Sequence, residues 1–389
     1  MMNSSDRPKM TVIIPTRERA DVFASALRTV VAQDYVNLEV LVSDNYSGDA
    51  TEEIARSTGD PRVRYVNTGR RLSMSHNWEF ALSQVTDGWV TIVGDDDGLL
   101  PGSLQAVADL IQMTGTLSVQ SATCRYKWPG NKGRKYGRLR IPTKQGHEVR
   151  DSKIWMSRVL RGDAAYAELP MLYTGGYTSM DVLHELKRKT GVFYKSCVPD
   201  VYSGFAIASL IPNYAYSHVP FAIGGTSKHS IGVDHFSMGK KIQEAPSLKF
   251  SQEDNIPFHK DVPLTRNGEY PPSLQAAVFE SYLQTACLRK DGPYESCERQ
   301  LEVILASASL GDEQLAAWGA DFADMHNLDY NRIRSRARFT RLRQKLEAIP
   351  VNLFRRINRR TIGSPHNPIE NVYEASLVAA AALDRAKKD

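Results

Sequence analysis

Cysteine is sparse in this 389-residue chain, and its four copies, Cys124, Cys197, Cys287 and Cys297, form no CxxC pair. That spacing argues against a zinc site and against a disulfide framework, and leaves the four as reduced packing residues. Long hydrophobic runs are missing as well. Nowhere do about eighteen uncharged apolar residues follow one another, as a helix crossing a bilayer requires. The opening MMNSSDRPKM has no apolar stretch of the kind that directs secretion. The expected location is therefore the cytoplasm. There is no internal repeat beyond a strand–helix rhythm, no low-complexity tract, and no nucleic-acid-binding fold motif, so no nucleic-acid partner is expected.

With 42% hydrophobic residues, the chain can bury one large core, or one core and a smaller helical region. Its formal charge of +5 conceals an asymmetry. Residues 331–360 hold eleven Arg or Lys against the single acid Glu347, and the remainder sums to −5. Such a block reads either as a site for an anionic partner or as a solvated helix face.

Apolar, β-branched-rich runs recur at Thr11–Pro15, Leu38–Ser43, Val63–Asn67 and Trp89–Val93. Helical stripes fill the gaps: Phe23, Ala26, Leu27, Val30 and Val31; then Trp78, Ala81, Leu82 and Val85; then Leu104, Val107, Ala108 and Ile111. Alternation of this kind predicts an α/β fold with a mainly parallel sheet covered on both faces. Ligands of such sheets bind beyond the carboxyl ends of the strands. Polar segments stand at those four places: Pro15-Thr16-Arg17-Glu18-Arg19, Ser43-Asp44-Asn45-Tyr46-Ser47, Asn67-Thr68-Gly69-Arg70-Arg71, and the triplet Asp95-Asp96-Asp97. Three adjacent, partly desolvated carboxylates repel one another by several kcal/mol unless something neutralises them. A hard divalent cation, magnesium or manganese, carrying a phosphorylated ligand would do so. The alternative is an acidic turn capping the helix that begins near Pro101.

Further along, Lys127–Arg150 is rich in Gly and basic residues and predicts a loop or ragged hairpin, and Gly224–Ser230 predicts a Gly-rich turn. Residues 232–272 carry no regular pattern. From Pro272 the chain is mainly helical, with Leu301, Ile304, Leu305 and Ala308 on one face and a last helix expected from Asn367-Pro368. The expected organisation is a nucleotide-and-acceptor unit over 1–235, an irregular connector over 236–271, and a helical region over 272–389 containing the basic segment 331–360.

The segments TVIIPTRER, LEVLVSDNYSGDAT, LSMSHNWEFALS and WVTIVGDDDGLLPGSL, in that order and spacing, resemble the nucleotide-sugar domain of family 2 glycosyltransferases. The resemblance is clear over residues 10 to 115 and weaker to 235. It implies a Rossmann-like GT-A fold, to which the pattern after Pro272 adds a C-terminal helical extension, together with a nucleoside diphosphate sugar donor, a Mn2+ or Mg2+ cofactor, and inversion at the anomeric carbon. Carried over residue by residue, it places Pro15, Thr16 and Glu18 against the nucleoside and Asp44 at the base. Asn45 stands beside Asp44 where the family's usual Asp-Asp-Gly-Ser is altered. Arg71, Ser73 and Asn77 fall at ribose, phosphate or sugar contacts, although Ser73 also reads as a helix N-cap. The triplet matches the metal-binding DXD motif, with Gly94 in the place of the family's first acid. Asp97 with Asp96 is the expected ion-holding pair, and Asp95 lies nearer the ribose or sugar.

The stretch Val198-Pro199-Asp200-Val201-Tyr202-Ser203 resembles the family's acceptor-side acid motif, with Pro199 in place of the usual Glu. Asp200 is thus the candidate base, or else only the N-cap of a helix over Val201–Leu210, where the dipole would hold its pKa down. His229 reads as an added metal ligand or a solvated loop residue, and Lys228 as a phosphate or acceptor contact. Tyr177 reads as an acceptor-side residue or as core, and Tyr202 as an acceptor-side residue. Ile349–Ile357 interleaves apolar groups with arginines in the manner of a membrane-surface segment. That would suit a glycan or lipid-linked acceptor in surface polysaccharide synthesis, with the enzyme peripheral at the inner face of the membrane. A solvated or oligomer-forming helix is the alternative. Two other functions stay open: a sugar-phosphate nucleotidyltransferase, although such enzymes carry a Gly-rich loop after the first strand, and a non-catalytic nucleotide- or glycan-binding module.

Overall fold

The computed structural model describes residues 7–130, 136–230, 253–290, 295–307, 312–364, 366 and 368–386. Its eleven strands form one sheet: β1 (Met10–Thr16), β2 (Leu38–Asp44), β3 (Val63–Asn67), β4 (Trp89–Ile92), β5 (Gly98–Leu99), β6 (Ser118–Lys127), β7 (Arg138–Pro142), β8 (His147–Asp151), β9 (Tyr177–Ser179), β10 (Asn213–Thr226) and β11 (Arg359–Ile362). The helices are α1 (Ala20–Val31), α2 (Thr51–Ser57), α3 (Met74–Leu82), α4 (Ser103–Thr114), α5 (Ser152–Leu160), α6 (Met180–Thr190) and α7 (Pro199–Leu210). They continue as α8 (Leu274–Gln284), α9 (Cys297–Ser307), α10 (Glu313–Met325), α11 (Tyr330–Ile357) and α12 (Val372–Ala386).

Strand order is β11-β7-β6-β9-β4-β1-β2-β3, with β10 lying on β6 and carrying β5 and β8. The β4-β1-β2-β3 half is parallel throughout. Short β9 runs antiparallel to both β4 and β6, so β6 regains the direction of the parallel half and β10 follows it. The sheet is therefore mainly parallel in direction, with antiparallel short strands as spacers and edges.

Period-two alternation in β1 distributes side chains to two cores. Val12 and Ile14 pack beneath Phe23, Leu27 and Val30 of α1 and Leu104 and Val107 of α4. Ile13 turns to the other face, with Trp78 and Leu82 of α3, Leu183 and Leu186 of α6, and Tyr202 and Ala206 of α7. Both faces are covered, as the crossover rule requires, and the rim at the strand ends stays open for a ligand.

Gly224 and Gly225, expected in a turn, belong to β10, paired with Arg125 and Tyr126 of β6, and the turn begins only after Thr226. The helical region after Pro272 packs on the preceding elements: α8 to α11 share one core with Met156 of α5 and Phe205 of α7. It also returns to the sheet, β11 pairing with β7 and α12 packing on α1. Finally, Asn367 lies outside the described residues and α12 starts at Val372, because the Ile369 backbone is already engaged with Gly137 and Tyr126. The Asn371 side chain then accepts the Glu374 N–H at 3.0 Å while Glu374 accepts that of Glu370, a capping pair that opens the helix.

Candidate active site

An open pocket sits at the carboxyl ends of β1, β2 and β4, where parallel sheets place their ligands. Pro15, Thr16, Arg17 and Arg19 line it from the β1 loop and Asn45 from β2. Met74, Asn77 and Trp78 contribute from α3, Gly94, Asp95 and Asp96 from the end of β4, and Tyr173 from the loop before β9.

Beyond β4 the backbone turns sharply, the Asp97 N–H bonding the Gly94 carbonyl at 3.0 Å, and this turn aims the three carboxylates in different directions. Asp95 accepts from the Arg19 guanidinium at 2.7 Å. Asp96 accepts from the Ser227 and Ser230 hydroxyls at 2.7 and 2.8 Å. Asp97 accepts from Thr174 and Gly94 on one oxygen and from the Gly225 N–H, at 2.7 Å, on the other. Asp97, the ion ligand expected from sequence, stands behind the pocket with both oxygens engaged, and Asp95 and Asp96 form the wall.

Electrostatics follow the same division. Burial, reinforced by the Asp96 charge, pushes the Asp97 carboxyl up to about 7. Burial also raises that of Asp95 against the pull of Arg19. The Tyr173 hydroxyl is pushed well above its usual value by burial and by the charges of Asp97, Asp96 and Asp200, which brings all three within electrostatic reach of one ring.

Gly94 and Gly225 are required by contact. A Cβ at Gly94 would fall 2.7 Å from both an Asp97 oxygen and the Tyr173 hydroxyl, and one at Gly225 would meet the Asp96 carbonyl at 1.9 Å. The absence of an acid at position 94 is therefore the condition for seating Asp97 and Tyr173.

The remaining sequence candidates divide. Pro15, Thr16, Asn45 and Asn77 line the pocket. Asn45 also braces Leu72 by its N–H and carbonyl, and Asn77 accepts from the Ser43 hydroxyl at 2.9 Å. Asp44 lies below the rim, accepting from Tyr65, Asn67 and the Ser47 N–H. Glu18 and Arg71 pair with each other at 2.6 Å on the outer rim. Ser73 caps α3, accepting the His76 N–H.

Five further candidates are not among the residues that line the pocket. The His229 ring faces away from the triplet, its Nε2 lying 3.0 Å from Asp21, and Lys228 pairs with the same carboxylate at 3.0 Å. Tyr177 and Tyr202 are fully buried in the two sheet cores. Asp200 is not an N-cap but stands in the first turn of α7 after Pro199, with the Tyr166 hydroxyl 3.4 Å away. Burial raises its pKa, so desolvation overrides the helix-end effect expected from sequence.

Sequence reasoning missed Arg19, Tyr173 and Thr174 as site residues. Arg19 closes the rim segment after β1, and the Gly175-Gly176 pair marks the tight crossing that carries the other two; a Cβ at Gly176 would meet the Met171 carbonyl at 1.8 Å.

Among the described residues, no three His, Cys, Asp or Glu side chains are placed to hold a metal ion together. Magnesium and manganese need only one or two carboxylates when substrate phosphates complete the shell, so Asp95 and Asp96 in the pocket wall offer hard oxygens of the kind such an ion takes.

The family model described as glycosyl transferase family 2 matches residues 11–158. The GalNAc(5)-diNAcBac-PP-undecaprenol beta-1,3-glucosyltransferase of Campylobacter jejuni is 33% identical over 103 residues, covering 26% of this chain and 33% of the relative. The succinoglycan biosynthesis protein ExoO of Rhizobium meliloti is 26% identical over 108 residues, covering 28% and 31%. The matched stretches thus span about a third of each relative's length. Among solved structures, S. aureus TarS 1-349 in complex with UDP-GlcNAc aligns over 86% of this chain and 89% of its own, with a TM-score of 0.52 at 14% identity, a likeness of fold. Residues 11–158 thus match the model of that family, and the sheet that contains them shares its fold with the TarS structure.

Proposed function

We propose that this chain is a metal-dependent, inverting glycosyltransferase that moves a sugar from a nucleoside diphosphate sugar to a hydroxyl of a glycan or lipid-linked acceptor, in the assembly of a surface polysaccharide. The observation that carries this reading is the presence of both Asp95 and Asp96 in the wall of a pocket at the ends of β1, β2 and β4. Asp95 and Asp96 would hold Mn2+ or Mg2+, which when bound supplies Lewis-acid relief of the charge that grows on the departing diphosphate. Pro15, Thr16 and Asn45 offer a floor for the nucleoside, and Asn77 and Tyr173 the wall nearest the sugar.

The rest of the chemistry falls to Asp200. The acceptor oxygen bonds to the anomeric carbon as the carbon–oxygen bond to the diphosphate breaks, and the hydroxyl proton passes to the Asp200 carboxylate. A raised pKa makes that carboxylate a stronger base than an exposed aspartate, and Tyr166 orients it. The relatives' printed names, a beta-1,3-glucosyltransferase acting on an undecaprenol-linked glycan and a succinoglycan biosynthesis protein, support the acceptor class.

The test is nucleotide release from a panel of nucleoside diphosphate sugars, with and without Mn2+, in the presence of glycan and lipid-linked acceptors. Metal-dependent release with one donor, abolished in Asp96→Asn, supports the reading. Metal-dependent nucleotide binding without turnover across the panel would point to a binding module instead.

A further inference from the structure

α11 carries two apolar faces, and only one is packed. Ile333 and Ala337 enter the core built by α8, α9 and α10, and buried Thr340 donates to Glu302 of α9. On the opposite side Phe339, Leu342, Leu346 and Ile349 are 75%, 57%, 58% and 61% exposed. With 3.6 residues per turn these four fall within about 80° of one another and roughly opposite Ile333 and Ala337. Four large exposed side chains in one line form a surface built for contact, whereas singly scattered ones need no explanation.

The charge around the stripe indicates what it contacts. Arg334, Arg338 and Lys345 border it on one side and Arg332, Arg336 and Arg343 on the other. Arg336 and Arg343 have acidic partners, in Glu298, Glu302, Asp163 and Glu347. Arg332, Arg334, Arg338 and Lys345 are exposed and make no ion pair among the described residues. Cations without counter-charge on both flanks of an apolar ridge match a surface that is apolar within and anionic at its boundary, with the long side chains reaching up to the headgroups. A second copy docked ridge against ridge would bring these same cations together.

We propose that the Phe339–Ile349 face of α11 lies on an anionic phospholipid surface, the apolar stripe buried among acyl chains and the flanking arginines on headgroup phosphates. This places the contact upstream of the Ile349–Ile357 segment singled out from sequence and on a definite side of the helix. It is independent of the sugar-transfer chemistry.

The test uses the full chain in co-sedimentation with vesicles of phosphatidylcholine alone and of phosphatidylcholine with roughly 30% phosphatidylglycerol. The chain is expected to sediment with the second and not the first. The double variant Phe339→Ser/Leu346→Ser should partition at least about tenfold less, and Arg334→Glu/Arg338→Glu at least about fivefold less. Because all four side chains are exposed, thermal unfolding should be unchanged in both variants, which separates lost contact from lost fold. Absence of sedimentation with anionic vesicles overturns the proposal. So does a Phe339→Ser/Leu346→Ser variant that binds them as wild type does, or a wild-type oligomer that this variant dissolves while vesicle binding is nil, since a second copy then covers the stripe.

Discussion

The Arg19 guanidinium lies 2.7 Å from a carboxylate oxygen of Asp95, and its other arm holds the His229 carbonyl at 2.6 Å. One side chain thereby neutralises a buried acid of the pocket and ties the β1 loop to the turn after β10. Removing it as Arg19→Met leaves Asp95 buried without a partner, a change that costs about 3–5 kcal/mol at comparable sites. Denaturant unfolding should show that loss in metal-free buffer and a partial recovery with Mn2+ or Mg2+, as the ion takes over the neutralisation. Equal loss with and without the ion would mean that no cation reaches Asp95.

Neighbouring glycines should respond unequally to the same methyl group. At Gly225 a Cβ would sit 1.9 Å from the Asp96 carbonyl and 2.9 Å from the Trp128 indole nitrogen, whereas at Gly224 the nearest atoms are 3.7 and 3.8 Å away. Gly225→Ala is expected to lower stability by about 3 kcal/mol or more, as overpacking against backbone does at its severe end, and Gly224→Ala by less than about 1 kcal/mol. Paired thermal melts check this, and equal shifts would contradict it.

Asp200→Asn is expected to lower kcat by about 10²–10⁴-fold while leaving the KM for the donor near wild type, because the base acts on the acceptor proton. The ionised carboxylate is the active form and burial raises its pKa. Activity should therefore rise with pH through an acid limb lying above the ordinary aspartate value of about 3.9. A pH–rate profile whose acid limb persists unchanged in the residual activity of the variant would assign the limb to another group.

A second buried acid gives a stability signature far from the pocket. Glu280 of α8 is fully buried, accepting from the Ser196 hydroxyl at 2.6 Å, the Gln284 amide at 2.8 Å and the His259 N–H at 3.1 Å. Burial raises its pKa against those bonds. The folded state then holds the proton more tightly than the unfolded chain, so the contribution to stability is complete below the ordinary glutamate value of about 4.3 and is lost as pH rises through the raised one. Glu280→Gln should flatten that part of the stability–pH curve, as read by denaturant midpoints across the acid range.

The parallel half was legible because β1, β2 and β4 are continuous apolar runs, each ending in a polar cluster, and both patterns arise from burial on two faces with an open rim. The mixed half was less so. β9 has three residues, too few to display a period, and β11 is hidden in Arg359–Ile362, whose charge reads as solvated surface. The triplet was visible, but the direction of each carboxylate was not. Asp97 is claimed by Gly225, 128 positions further on, and by Thr174, 77 positions on, and no local rule links residues so far apart. The pKa of Asp200 was hidden for a related reason: its place at a helix start is local, whereas the burial that raises its pKa is a matter of tertiary packing.

The account rests on a cation-dependent seat for a nucleoside diphosphate between Asp95, Asp96 and the β1 loop. Isothermal calorimetry of UDP and GDP against the wild-type chain and against Asp95→Asn and Asp96→Asn, each with Mn2+ and with chelator, tests it most directly. The expected result is binding of one of the two nucleotides by wild type with Mn2+ alone, weakened at least about tenfold in either variant while circular dichroism is unchanged. Binding that is equally tight in chelator, or that survives both substitutions, would contradict it.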